Sequence, residues 1–172
     1  MKGLAMSMHA FFRCLVLLLS ALQMASVQAQ DLAPPEFPAA GLGSQSALLQ
    51  SGDSNQVSIV QAGLSHATSA VQGGSANQLS ALQAGDLNRI AVLQSGDFNT
   101  AVLSQAGSLN VITVQQGGLQ NVASVLQQAS GATALVAQGG IGNLADIRQY
   151  VNFANAVVRQ DGNYGVATVI QY

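Results

Sequence analysis

The sequence predicts an all-β fold: a two-sheeted β-solenoid of 22-residue coils, each pairing two 11-residue strand-turn units. Three observations predict it. Glutamine recurs every eleven residues without insertion or deletion, glycine and asparagine recur in phase with it, and aliphatic residues alternate with other residues in between. The composition narrows the field further. The chain has 172 residues, of which 49% are hydrophobic and only 7% charged, with a formal net charge of -2. Disordered chains combine low hydrophobicity with high net charge, and this one has neither. Five Lys and Arg residues cannot form the basic patch that neutralises phosphates, so nucleic acid is not expected as a specific ligand. No apolar run reaches the roughly 20 residues of a membrane-spanning helix, so no transmembrane segment is expected.

Residues 1–29 read as an export signal. Lys2 and Arg13 give it a positive start, Cys14 to Leu22 form a short apolar stretch, and Val27-Gln28-Ala29 supplies a cleavage site. Cys14 is the one cysteine, so removal of the signal leaves no disulfide or thiol chemistry. Residues 30–44 follow as a flexible leader and a possible secretion-targeting segment, because QDLAPPEFPAAGLG is rich in Pro and Gly and has no period.

The repeat domain spans residues 45–172. Its glutamines are Gln50, Gln61, Gln72, Gln83, Gln94, Gln105, Gln116, Gln127, Gln138, Gln149, Gln160 and Gln171. Two residues after most of them stands a glycine: Gly52, Gly63, Gly74, Gly85, Gly96, Gly107, Gly118, Gly140 and Gly162. Five residues after stands an asparagine in seven units: Asn55, Asn77, Asn88, Asn99, Asn110, Asn121 and Asn143. Positions seven and nine are aliphatic or small, with Thr68 the one hydroxyl, giving the unit Q-x-G-x-x-N-x-Φ-x-Φ-x.

Positions five, seven, nine and eleven are two residues apart, so in a strand they share one face. In a helix they would scatter around the axis. The β-branched residues at position nine favour a strand. Glycine with Asp or Ser beside it is turn chemistry, so each unit reads as a strand of about seven residues and a four-residue turn. One strand cannot bury its own face. Two units can fold as strand-turn-strand-turn with apolar faces meeting, and successive coils then stack in parallel about 4.8 Å apart. Buried amides without partners cost about 1–3 kcal/mol each. Stacking Gln on Gln and Asn on Asn removes that cost, because each amide carries both donors and an acceptor. These residues are therefore expected to form inward ladders.

The pattern runs to Val169-Ile170-Gln171-Tyr172, so no folded cap is expected over the last strand. Bare strand edges recruit other chains. End-to-end polymerisation into a cross-β fibre follows as an expectation.

The Q-x-G-x-x-N-x-A-x-x-x-Q units, their eleven-residue step, the export signal and the leader resemble curlins, the subunits of curli. The resemblance covers about residues 45–172. It implies a structural subunit of an extracellular functional amyloid fibre on the surface of a Gram-negative bacterium, with roles in biofilm matrix and adhesion. It also implies partners: further copies or another curlin subunit, an outer-membrane curli secretion channel and its accessory factors. In major curli subunits the Gly-bearing turn tends to alternate with a Gly-poor one. Here it appears in nearly every unit, while Gln127–Ala137 and Gln149–Arg159 lose both the position-two Gly and the position-five Asn, and Arg148 and Arg159 stand at outward positions. These features resemble the minor, nucleating subunit. A major fibre subunit is the alternative, as is a monomeric β-solenoid adhesin or binding module.

Chemistry is not expected. Asp53, Asp86 and Asp97 occupy position three of the turn, where solvated carboxylates act as solubilising gatekeepers rather than as a catalytic pair. His66 replaces an inward Asn and, alone, makes no metal site. The glycine turns lack the Lys and helix of a phosphate loop. No catalytic, cofactor-binding or metal-binding residue is assigned, and no cofactor is expected. Val60, Val71, Leu82 and Leu93 are expected to leave apolar strips on the outer faces.

Overall fold

The computed structural model describes residues 43–172; the expected export signal and residues 30–42 of the expected leader lie outside the described residues. Twelve strands follow one another with no helix among the described residues: β1 (Gln45–Ser51), β2 (Gln56–Leu64), β3 (Ala67–Gly73), β4 (Gln78–Asp86), β5 (Arg89–Asp97), β6 (Thr100–Ser108), β7 (Val111–Leu119), β8 (Val122–Gln128), β9 (Thr133–Ile141), β10 (Leu144–Gln149), β11 (Asn155–Asn163) and β12 (Val166–Gln171). Odd strands form one parallel sheet in the order β1-β3-β5-β7-β9-β11, and even strands form the other in the order β12-β10-β8-β6-β4-β2. Each consecutive pair is one coil, so the molecule is a six-coil β-solenoid. The strand of the opposite sheet serves as the crossover that a parallel pair needs.

Register follows the repeat. Ile90 pairs with Ile112, Val92 with Val114 and Gln94 with Gln116, all 22 residues apart. Within β5 the alternation is strict: Ile90, Val92 and Gln94 are buried while Leu93 is exposed. The aliphatic residues of both sheets meet in one core running the length of the solenoid, with Leu79, Ile90, Leu103, Ile112, Val136 and Ile147 among its members. Each such side chain contributes about 1.5–3 kcal/mol when fully buried. A smaller cluster of Ala129, Ala132 and Ala154 fills one corner of the later coils, where the repeat has lost Gly and Asn.

The turns differ from the expectation in one respect. Many strands run through the position-two glycine, so β4 and β5 are nine residues long and only Leu87 and Asn88 separate them. Gly63, Gly85 and Gly107 pair directly with one another across the coils. The bend is shared between two sites. Glycines at position two have φ between +93° and +123°, and position four is left-handed in every unit. Nine of those position-four residues are not glycine, Leu109 (φ 60°) and Tyr164 (φ 58°) among them. The left-handed conformation costs an L-residue about 1–2 kcal/mol, so stacking must hold it in place at each coil.

Where its φ is positive, position two admits only glycine for a second reason. A Cβ on Gly96 would lie 2.1 Å from the Gly118 carbonyl oxygen, and one on Gly118 would lie 2.2 Å from that of Gly140. The backbones of adjacent coils touch there. Gly117, one residue earlier, has room: its nearest neighbour to such a Cβ is the Ser95 hydroxyl at 3.5 Å. Gly96→Ala is therefore expected to destabilise the fold by at least about 2 kcal/mol, while Gly117→Ala is neutral or stabilises by up to about 1 kcal/mol. Guanidinium unfolding midpoints of the two variants check the contrast.

Candidate functional site

The inward polar residues form four columns along the solenoid. Two are glutamine. In the odd-strand sheet Gln50, Gln72, Gln94, Gln116, Gln138 and Gln160 stack. Each donates from Nε2 to Oε1 of the next at 2.7–2.9 Å. In the even-strand sheet Gln61, Gln83, Gln105, Gln127, Gln149 and Gln171 do the same at 2.8–2.9 Å. The second Nε2 hydrogen crosses the core to a backbone carbonyl of the facing strand, as from Gln105 to Arg89 at 3.1 Å and from Gln116 to Thr100 at 3.0 Å. Gln72, Gln83, Gln94, Gln105, Gln127 and Gln149 are fully buried. Each thus ties the two sheets together across the core and also binds the coil above.

The asparagine column at the start of the even strands comprises Asn55, Asn77, Asn99, Asn121 and Asn143, with Gly165 at its end. Here the donation runs the other way. Asn99 Nδ2 reaches back to Asn77 Oδ1 at 3.1 Å, and the Asn99 backbone N–H donates to that same oxygen at 3.1 Å. Asn99 Nδ2 also meets the Ser95 carbonyl of its own turn and the Gly118 carbonyl of the next coil, both at 3.1 Å. Asparagine, one methylene shorter than glutamine, fits because its partners are turn backbone rather than a facing strand. The same pattern serves Asn77 and Asn121. Glutamine and asparagine columns therefore carry opposed amide dipoles.

The fourth column is Ser44, His66, Asn88, Asn110, Ala132 and Ala154, and it is irregular. His66 is buried, its Nε2 lying 3.1 Å from the Ala62 carbonyl and its Nδ1 facing the Asn88 backbone N–H at 3.4 Å. These two contacts define an imidazole that donates from Nε2 and accepts at Nδ1. Asn88 and Asn110 donate to the Gly107 and Ala129 carbonyls at 2.9 and 2.6 Å. Thr68 enters the glutamine column beside it, donating to Gln83 Oε1 at 2.9 Å and accepting from Gln61 Nε2 at 3.1 Å. Every buried side-chain N and O among the described residues has a hydrogen-bond partner.

The acids at position three do more than face water. Asp86 accepts from the Leu64 N–H of the preceding coil at 3.1 Å, and Asp97 from the Ser75 N–H at 2.8 Å. Asn152 and Asn163 make the corresponding bonds to Ser130 and Ile141. Reading the units eleven at a time hides these pairs, and aligning them 22 at a time would have set an acceptor at position three above an N–H in the coil below. Asp53 is exposed. On the outer faces Val60, Leu82 and Leu93 are about half exposed and Val71 somewhat less so. Arg148 pairs with Asp146 at 2.9 Å. Tyr172 stacks on Tyr150 with ring centroids 5.5 Å apart, a coil-to-coil contact outside the repeat pattern.

Two outcomes test this geometry. Gln105→Leu conserves size but strands the Gln83 donor and the Gln127 acceptor, and is expected to cost at least about 2 kcal/mol. His66→Asn supplies the amide used by the other columns and is expected to stabilise by about 1 kcal/mol. Denaturant midpoints of the two variants check both signs.

Comparison with known proteins agrees with the period. Residues 74–107 and 85–118 each match the family model of the curlin associated repeat, two matches offset by eleven residues, one unit. No curated protein and no solved structure matches the chain. Residues 74–118 thus carry the curlin associated repeat, in phase with a solenoid of 22-residue coils around stacked amides.

Proposed function

We propose that this chain is exported and assembles end to end into an extracellular cross-β fibre, in which it acts as a nucleating subunit. One observation carries the reading. Gln160 and Gln171 each give one Nε2 hydrogen to a backbone carbonyl of the facing strand, Leu144 and Asn155 respectively. The ladder bond that every earlier glutamine gives to the next coil has no acceptor there among the described residues. At the other end Gln50 and Gln61 carry the matching Oε1 acceptors. A second copy placed with β1 on β11 and β2 on β12 continues both glutamine ladders and both sheets at the spacing already used inside the molecule.

A nucleating role is supported by the position-two glycine in nearly every unit, which lets each coil template its neighbour closely, and by the divergent last units with Arg148 and Arg159 on the outside. The fibre so formed would serve biofilm matrix and adhesion, and the segment 30–44 would engage an outer-membrane secretion channel. All of these follow from family likeness.

Fibre formation is tested by incubating the exported chain, free of its signal, and recording fibre diffraction and sedimentation. A meridional reflection near 4.8 Å in a sedimenting species is expected; a chain that stays monomeric for days contradicts the proposal. Substoichiometric addition to another curlin is expected to shorten that curlin's lag, and an unchanged lag removes the nucleating role.

A further inference from the structure

The interior of the molecule is held by two kinds of strut, and only one of them reaches the sixth and last coil among the described residues. The glutamine columns are complete to Gln160 and Gln171. Both position-five columns stop earlier: one ends at Asn110, with Ala132 and Ala154 in coils five and six, and the other ends at Asn143, with Gly165 in coil six. Between interior coils the position-five struts are substantial. Asn121 accepts at Oδ1 from the Asn143 N–H and Nδ2 at 3.1 and 3.0 Å, and its own Nδ2 donates upward to the Gly140 carbonyl at 3.1 Å. In the next layer, Asn143 accepts from the Gly165 N–H at 2.8 Å and donates to the Gly162 carbonyl at 2.9 Å. Above Gly165 nothing of the kind can form.

We infer that the joint between two copies of this chain is the weak layer of its homopolymer, because the face bearing Ala154 and Gly165 offers an incoming copy glutamine donors but no position-five oxygen or amide. The inference rests on the end-to-end reading above. In that register Asn55 of the second copy lies over Gly165, and its backbone N–H and Nδ2 find no acceptor below. Gly52 of the second copy presents a carbonyl that no Nδ2 reaches. In the other column Ser44 of the second copy lies over Ala154, whereas inside the molecule the His66 N–H at the same position donates to the Ser44 hydroxyl at 3.2 Å. The joint keeps two glutamine bonds and the backbone ladders and lacks the rest. The fibre is thus a series of tightly bonded six-coil blocks with a softer layer between blocks.

Restoring the strut should harden the joint. Gly165 is not in a left-handed conformation, and a Cβ there would meet Asn143 Oδ1 at 3.0 Å and Gln160 Nε2 at 3.2 Å. The first is the oxygen that receives an asparagine at every earlier coil of that column, so a shift of a few tenths of an ångström admits the side chain. Gly165→Asn is expected to lower the critical concentration for fibre growth at least about tenfold, the effect of two or three added hydrogen bonds across each joint. Ala154→Asn, which already has its Cβ, is expected to lower it in the same direction through the other column and guards against poor folding of the first variant. Wild-type fibres that grow, with a critical concentration left unchanged or raised in both folded variants, overturn the inference and leave the end-to-end reading standing. Wild-type chain that forms no fibre overturns that reading itself.

Discussion

A primary amide has two hydrogens and an acceptor oxygen, and burying it demands that all of them be used. That demand shapes this molecule more than its apolar core does. Each inward glutamine gives one hydrogen to the facing strand and the other to the coil above, while its oxygen accepts from the coil below. Such a side chain is satisfied only when an identical one lies directly over it. The strict 22-residue spacing follows, because one inserted residue would turn every inward side chain to the opposite face and leave amides unpaired on both sides, at about 1–3 kcal/mol each.

The close approach at the turns comes from the same stacking. Carbonyls at position two sit where a Cβ would otherwise stand, which lets asparagine reach the next coil's backbone with its short side chain. The energetic cost of left-handed residues such as Leu109 and Tyr164 is carried by these inter-coil bonds rather than by local preference. Several departures from the pattern are repaired within the amide logic: Thr68 lends its hydroxyl to the glutamine column, His66 presents one donor and one acceptor in place of an amide, and Ala129, Ala132 and Ala154 remove polarity altogether and close a small apolar corner. A half-satisfied network is costlier than an apolar one, which is the physical reason that both Gly and Asn disappear together there.

Much of the fold is legible in the sequence because the repeat has two periods that must agree, two residues along a strand and eleven along the chain. Their combination determines which side chains face inward and how many coils there are. The turns were less legible. Glycine advertises a positive φ at position two, but nothing about Ser54, Leu87 or Gln120 advertises the left-handed backbone they adopt, since that conformation is imposed by the coils on either side. The stitches from Asp86 and Asp97 to the N–H groups below were hidden for a related reason: they join residues 22 apart through side chains that look merely solvated in a single unit. The fate of the end layer is readable only once the columns are drawn, when Gly165 and Ala154 stand out as missing struts rather than tolerated substitutions.

Hydrogen exchange of the glutamine side-chain amides tests most directly whether these columns hold the molecule together. Signals of Gln72, Gln83, Gln94, Gln105 and Gln127, which are buried and bonded on both sides, are predicted to exchange slowly, together with the strand backbone. Those of Gln56, Gln78, Gln115 and Gln120, which face outward, are predicted to exchange at solvent rates. Rapid exchange of both sets alike, with the backbone still protected, would contradict the account.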